Sequence, residues 1–242
     1  MELNVLGTGG GWPRARGAAC GYLLRNDDFN LWLDAGTGTM ANLQERVPLE
    51  DVHAVVVSHR HFDHFLDLYP FFLSLWWGTD RSPIPLFAPP GMFEHALQLQ
   101  PDLTKAFDLR VVEPGDAFEA GPFAVATAPM RHPVPTLGMR IQAEGRVLAY
   151  SADTGPTDHL VALAKQGEAL LAEATWLDRP EGQDSIHLTA AEAGEQAARS
   201  DVGRLIITHI WPTLDRQAVA ERAAARFDGP VAIANEGMKV EL

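Results

Sequence analysis

Residues 54–64 read Ala54-Val55-Val56-Val57-Ser58-His59-Arg60-His61-Phe62-Asp63-His64. Four apolar residues in a row, three of them β-branched, suit a buried strand. The next seven positions then carry three imidazoles and a carboxylate. Placing so many polar groups beside a core strand is costly unless something pairs with them all. A divalent cation does so, and imidazole with carboxylate is a ligand set that suits zinc. The fold then turns on which other strands end beside this one, and on whether they also end in ligands.

Three do. His132 follows Ala128-Pro129-Met130-Arg131, just beyond a strand expected over 123–126. Asp153 lies in Tyr150-Ser151-Ala152-Asp153-Thr154-Gly155, after a strand expected over 147–150. His209 closes a strand expected over 204–208. Each time an apolar strand delivers a ligand-type side chain into a loop, and a rigid core fixes such loops relative to one another. His59, His61, Asp63, His64, His132, Asp153 and His209 suffice for two ions. Three histidines would serve one ion, a histidine with Asp63 the second, and the two oxygens of Asp153 both. Two such ions acidify water and take up negative charge in a transition state. Asp34, closing Leu31-Trp32-Leu33, either orients a ligand by hydrogen bonding or turns its own loop.

Further strands are expected over 3–6, 21–24, 29–33, 52–57, 85–87, 109–112 and 137–141. Helices are expected over 62–75, 157–165, 188–198 and 216–226, with Thr189 and Glu192 spaced for a capping box. Strands in both halves with helices between some of them suggest packed sheets with helices outside. No Gly/Ser-rich or Pro-rich linker interrupts the 242 residues, so one domain over 1–242 is expected. Gly7, Gly9, Gly10 and Gly11 lack the Lys-Ser or Lys-Thr of a nucleotide loop. Their expected task is to let the backbone turn closely beneath the metal centre.

The net charge of −13, from 32 acidic and 19 basic residues, argues against long nucleic acid as a partner. A small phosphodiester is compatible, because a metal centre reverses the local sign. The apolar stretch over 66–78 is too short and interrupted to span a bilayer, so no membrane partner is expected. The start MELNVLGTGG has no basic region leading into an apolar one, and the one cysteine, Cys20, suits a reducing compartment, so a cytoplasmic location is expected. The aromatic residues Tyr69, Phe71, Phe72, Trp76 and Trp77 read as core or homodimer packing, with substrate stacking as the second option.

The segments LGTGGGWP, LWLDAGTG, SHRHFDH, the lone His132, YSADTG and THIW follow one another over essentially the whole chain. In that order they resemble the metallo-beta-lactamase fold superfamily, and within it the branch of ribonuclease Z and related phosphodiesterases. The resemblance implies an α/β fold, a four-layer αββα sandwich with two zinc ions in a groove at one edge; manganese or iron is compatible with the same ligands. It implies His59, His61 and His132 on one ion, Asp63, His64 and His209 on the other, and Asp153 between them. It further implies a non-ligand histidine, His187, that assists the leaving group and pairs with Glu173. The family's HEAT segment is here Ala172-Glu173-Ala174-Thr175, with alanine in place of its histidine.

From the residues alone, a carboxylate bonded to one imidazole nitrogen fixes the tautomer and favours a protonated ring that can donate to a departing oxygen. The other reading leaves His187 solvated before a helix and Glu173 paired elsewhere. Asp63, His187 and Glu173 form the expected catalytic set. Two departures from ribonuclease Z matter. The stretch between His64 and His132 lacks the long, basic, glycine-rich arm that holds transfer RNA, and His209-Ile210-Trp211-Pro212 does not continue into the usual serine, arginine and tyrosine pattern. The expected reaction is therefore hydrolysis of a small nucleotide-like or cyclic phosphodiester. Transfer RNA 3′-processing, lactone or thioester hydrolysis, and a metal-stabilised binding protein are the alternatives.

Overall fold

The computed structural model describes residues 1–79 and 83–242. Seven strands form the first sheet, in the order β14 (Lys239–Glu241), β1 (Glu2–Gly7), β2 (Gly21–Asn26), β3 (Phe29–Ala35), β4 (Ala54–Val56), β5 (Ile84–Ala88) and β6 (Phe107–Val111). Seven form the second, in the order β13 (Val231–Ile233), β12 (Leu205–Thr208), β11 (Ala169–Glu173), β10 (Arg146–Tyr150), β9 (Leu137–Ala143), β8 (Phe123–Pro129) and β7 (Ala117–Ala120). Each sheet is antiparallel on one side and parallel on the other, from β3 through β6 and from β10 through β13.

Successive side chains on a strand point to opposite faces, so a strand covered on both sides is apolar throughout. Leu31 and Leu33 of β3 enter the core between the sheets with Ile141, Leu148 and Leu171 from the second sheet. Trp32 between them faces outward, into a layer with α1 (Thr39–Gln44), α2 (Leu68–Gly78) and α3 (Met92–Leu99). Leu170 and Ile207 face α4 (Asp158–Ala164), α5 (Ala190–Ser200) and α6 (Arg216–Ala224) in the same way. The result is the αββα sandwich implied by the motifs.

Strands β3, β4, β8, β10, β11 and β12 all run toward one edge of the sandwich, where chain ends of parallel strands form a natural site. Three non-glycine residues at that edge adopt left-handed backbone: Asp34 (φ 54°), Ala152 (φ 48°) and His209 (φ 48°). Such conformations cost energy and persist where the surroundings over-determine them. Gly36 is required by close approach, since a Cβ there would lie 2.0 Å from the Asp63 carbonyl oxygen.

The helix expected over 62–75 is divided. Phe62–His64 is a single 3-10 turn, and α2 begins only at Leu68. The Asp63 carbonyl accepts from the Cys20 N–H (3.2 Å), and the Asp67 N–H donates to Ala35 (2.9 Å), so these groups bond to β-strand loops rather than along a helix. The capping box forms as expected, with Thr189 as N-cap and both reciprocal bonds to Glu192. The aromatic stretch is largely core. Phe71 and Phe72 are fully buried, and Phe71 meets Trp32 edge-on at 5.3 Å, whereas Trp77 is 73% exposed. Among the described residues, no helix is long and apolar enough to cross a membrane.

Candidate metal centre

All seven expected ligands converge at the sandwich edge, in two groups that share Asp153. In the first, His61 Nδ1 lies 3.1 Å from His59 Nε2 and 3.0 Å from His132 Nε2, and Asp153 Oδ2 is 3.7 Å from His59 Nε2. In the second, His209 Nε2 lies 3.3 Å from His64 Nε2 and 3.2 Å from Asp63 Oδ2. Asp153 Oδ1 completes it, 3.3 Å from His64 Nε2 and 3.2 Å from His209 Nε2. A tetrahedral ion with bonds of about 2.0–2.1 Å has ligand–ligand edges of roughly 3.4 Å, so both groups have the spacing of a coordination shell. Asp153 turns one oxygen to each.

The outer nitrogens show which lone pairs are available. His64 Nδ1 donates to the Asp34 carboxylate at 2.8 Å. The Ser58 hydroxyl also donates to Asp34, at 2.8 Å, and therefore accepts from His59 Nδ1 at 3.1 Å. His132 Nδ1 donates to the Ile186 carbonyl at 3.2 Å. The Thr175 hydroxyl donates to Glu173 at 2.7 Å and therefore accepts from His209 Nδ1 at 2.9 Å. In all four rings the proton is placed on Nδ1, so the Nε2 lone pair faces the site. Neutral lone pairs aimed at one another repel unless a cation lies between them. Asp153 Oδ1, buried and without any hydrogen bond, sits among them. The donor set therefore fits two divalent cations.

Electrostatics distinguish the two groups. Burial lowers the pKa of His59 and His61 and brings that of His132 down to about 4, keeping these rings neutral. Burial also opposes charge on His64 and His209, but Asp153 and Asp63 outweigh it and raise both. Burial opposes ionisation of Asp63, yet His64 and His209 hold its pKa well below the usual carboxylate range. The same opposition holds at Asp153, where His209, His64 and His59 prevail. Protons and a divalent cation thus compete for the second group.

Asp34 is an organising residue rather than a simple turn residue. It is fully buried and accepts from the Ser58 N–H (2.6 Å), the Ser58 hydroxyl, His64 and the Tyr150 hydroxyl (2.6 Å). Glu173 plays the matching part on the second sheet. It accepts from His187 Nδ1 (2.9 Å), the Thr154 N–H (2.7 Å), and the N–H (3.2 Å) and hydroxyl of Thr175. His187 thus pairs with Glu173, and its ring lies 5.1 Å from His132 and 5.9 Å from His209. Burial disfavours a charged His187, but the Glu173 carboxylate overrides it and carries the pKa up to about 9. The glycine loop lies beneath the second group: Gly11 N–H donates to Asp63 Oδ2 at 2.7 Å, and a Cβ on Gly10 would meet His209 Nδ1 at 2.8 Å.

Among the described residues, two other clusters of ligand-type atoms each include a nitrogen already engaged elsewhere. Cys20 adjoins Asp34 and His64, but burial pushes its thiol up to about 12, and His64 Nδ1 already serves Asp34. His187 adjoins Asp153 and His209 through Nδ1, the nitrogen bonded to Glu173. Ser58, Thr175 and Tyr150 were not singled out in the sequence. Only the position of Ser58 and Thr175 beside His59 and Glu173 hinted at them.

Residues 30–210 match the Beta-lactamase superfamily domain. The chain belongs to the metallo-beta-lactamase superfamily. Within the superfamily it is similar to an uncharacterized protein of Mycobacterium leprae, 34% identical over 245 residues that cover 96% of this chain and 85% of the relative. It is also similar to ribonuclease Z of Mycolicibacterium gilvum, 30% identical over 278 residues, covering 100% and 96%. The crystal structure of the superfamily protein YhfI from Bacillus subtilis superposes with a TM-score of 0.93 at 27% identity, covering 100% of this chain and 99% of that one. The chain lies in the ribonuclease Z-like branch, and its paired clusters make it a metal-dependent hydrolase.

Two outcomes test the hydrogen-bond scheme. Thr175→Val keeps the shape but removes the hydroxyl between Glu173 and His209. It is expected to weaken metal binding about 10–100-fold, with Thr175→Ser close to wild type; unchanged affinity of the valine variant, measured by competition with a chromophoric chelator, would reject the tautomer argument. In chelator-treated protein, His187 has a folded pKa of about 9, above its ordinary 6.5. Its stabilising contribution is then complete below 6.5 and lost as pH rises through about 9. Denaturant unfolding of wild type and His187→Ala should therefore converge across that window, and a constant difference would contradict the pairing.

Proposed function

We propose that the protein is a zinc-dependent phosphodiesterase acting on a small nucleotide-like or cyclic phosphodiester. The observation that carries this reading is the His187–Glu173 pair, which stands beside the ligands without being one of them. When bound, two divalent ions acidify a water molecule and offset negative charge at the reacting centre. His59, His61 and His132 would hold one, Asp63, His64 and His209 the other, and Asp153 both.

The chain's own residues supply the rest. Glu173 accepts from His187 Nδ1, so the ring is fixed in orientation and the neighbouring carboxylate favours its protonated form. A cationic ring beside the groove neutralises phosphoryl charge and gives its Nε2 proton to the departing alkoxide. A sugar alkoxide needs that proton, whereas a thiolate leaves without one, so the pair favours a phosphodiester over a thioester. Asp63 Oδ2 accepts from the Gly11 N–H and faces the second group, and its Oδ1 is assigned to orient the attacking water. Between His64 and His132, the described residues form β5 to β8 and α2 to α3 of the sandwich, which supports a substrate smaller than transfer RNA. Similarity to ribonuclease Z favours precursor transfer RNA as the second reading.

Metal analysis of natively purified protein, coupled to a substrate panel, tests the proposal. The panel comprises bis(p-nitrophenyl) phosphate, cyclic nucleotides, short RNA, precursor transfer RNA, a lactone and a glutathione thioester. Two zinc ions per chain and preferred turnover of a small diester are expected. No metal-dependent hydrolysis of any phosphodiester would overturn it. His187→Ala should lower kcat on that diester by about 10²–10⁴-fold with metal content retained; full activity would remove the acid role.

A further inference from the structure

Phe62 stands between two ligands, His61 and Asp63, yet its side chain is 61% exposed. A lone exposed phenylalanine needs no explanation, but this one is part of a built wall. Its ring stacks on His95 with centroids 5.8 Å apart and planes 24° from parallel, and Phe65 supports it at 6.1 Å. Phe62 and His95 line a cleft of about 190 Å³ together with Arg60, Val134 and the ligand His61. Arg60 is exposed and takes part in no ion pair among the described residues. The cleft thus joins an aromatic face and a guanidinium directly to the metal centre.

We propose that this cleft is the subsite for the base of a nucleotide substrate, with Phe62 as the stacking face and Arg60 as its polar partner. The proposal rests on the phosphodiesterase reading and specifies which substituent the diester carries. Sharing His61 with the metal centre means that a phosphodiester placed there has its organic substituent within reach of the cleft. Pockets for whole drug-sized ligands measure about 300–1,000 Å³, so this smaller volume suits one planar ring system. An aromatic face accepts any base through its π-face, and an arginine beside it adds hydrogen bonding and cation–π attraction.

The competing position is Trp12, 45% exposed, which adjoins Gly11 and lies 5.5 Å from Trp211. Those rings are tilted by 48° and offer an edge rather than one continuous face.

The test uses zinc-loaded protein and two paired comparisons. The first is the ratio of kcat/KM for the p-nitrophenyl ester of thymidine 5′-phosphate to that for methyl p-nitrophenyl phosphate. These share a leaving group and differ in the nucleoside. The second is the affinity for AMP relative to ribose 5-phosphate, measured by calorimetry and independent of turnover. Phe62→Ala is expected to lower both ratios roughly tenfold, and Phe62→Tyr to restore them. Ratios unchanged in Phe62→Ala, or lowered by Trp12→Ala instead, would overturn the subsite, as would equal wild-type affinity for AMP and ribose 5-phosphate. Wild-type protein that hydrolyses neither ester but keeps a Phe62-dependent preference for AMP would support the subsite while refuting the phosphodiesterase reading.

Discussion

A buried carboxylate hydrogen-bonded to the outer face of the ligand shell is the interaction on which the rest of this structure depends. It occurs twice, once from each sheet. Asp34 at the end of β3 fixes His64 directly and His59 through Ser58. Glu173 at the end of β11 fixes His187 directly and His209 through Thr175. Both carboxylates are fully buried, and each has several donors around it, which is the condition under which a buried charge is tolerable. Asp34 also joins the two sheets by taking the Tyr150 hydroxyl, and Glu173 ties its strand to the site loop by taking the Thr154 N–H beside Asp153.

This arrangement explains why the fold needs its strained edge. A lone pair can meet a metal only if the ring behind it is held in one orientation, and a flexible loop would not hold it. The sandwich supplies rigid strand ends, and left-handed backbone at Asp34, Ala152 and His209 turns the chain where the ligands require it. Asp34, Asp63, Asp153 and Glu173 together place four carboxylates at the site, a charge that two divalent cations offset. The protein's net charge of −13 therefore does not fix the sign of the charge at the site.

Much of this was legible in the sequence because ligands at strand ends leave a local signature. His132, Asp153 and His209 each follow an apolar run, and all three arrive where that pattern places them. The sandwich followed from the motifs more than from strand periodicity. Strand β11 carries little strand signal, because Ala169, Ala172 and two leucines lack β-branched character, although every residue in it is buried. The segment after His61 looked helical from its apolar content, but ligand geometry and bonds to neighbouring loops cut the helix short. The hydroxyl relays were least legible. Ser58 and Thr175 act by bonding residues brought together by the fold, and no sequence spacing encodes a contact such as Thr175 with His209.

The most direct measurement is anomalous diffraction from crystals of the metal-loaded protein, recorded on both sides of the zinc absorption edge. Two peaks are predicted, one enclosed by His59, His61 and His132, the other by Asp63, His64 and His209, with Asp153 against both. A peak bonded to His187, or one seated among Cys20, Asp34 and His64, would contradict the account.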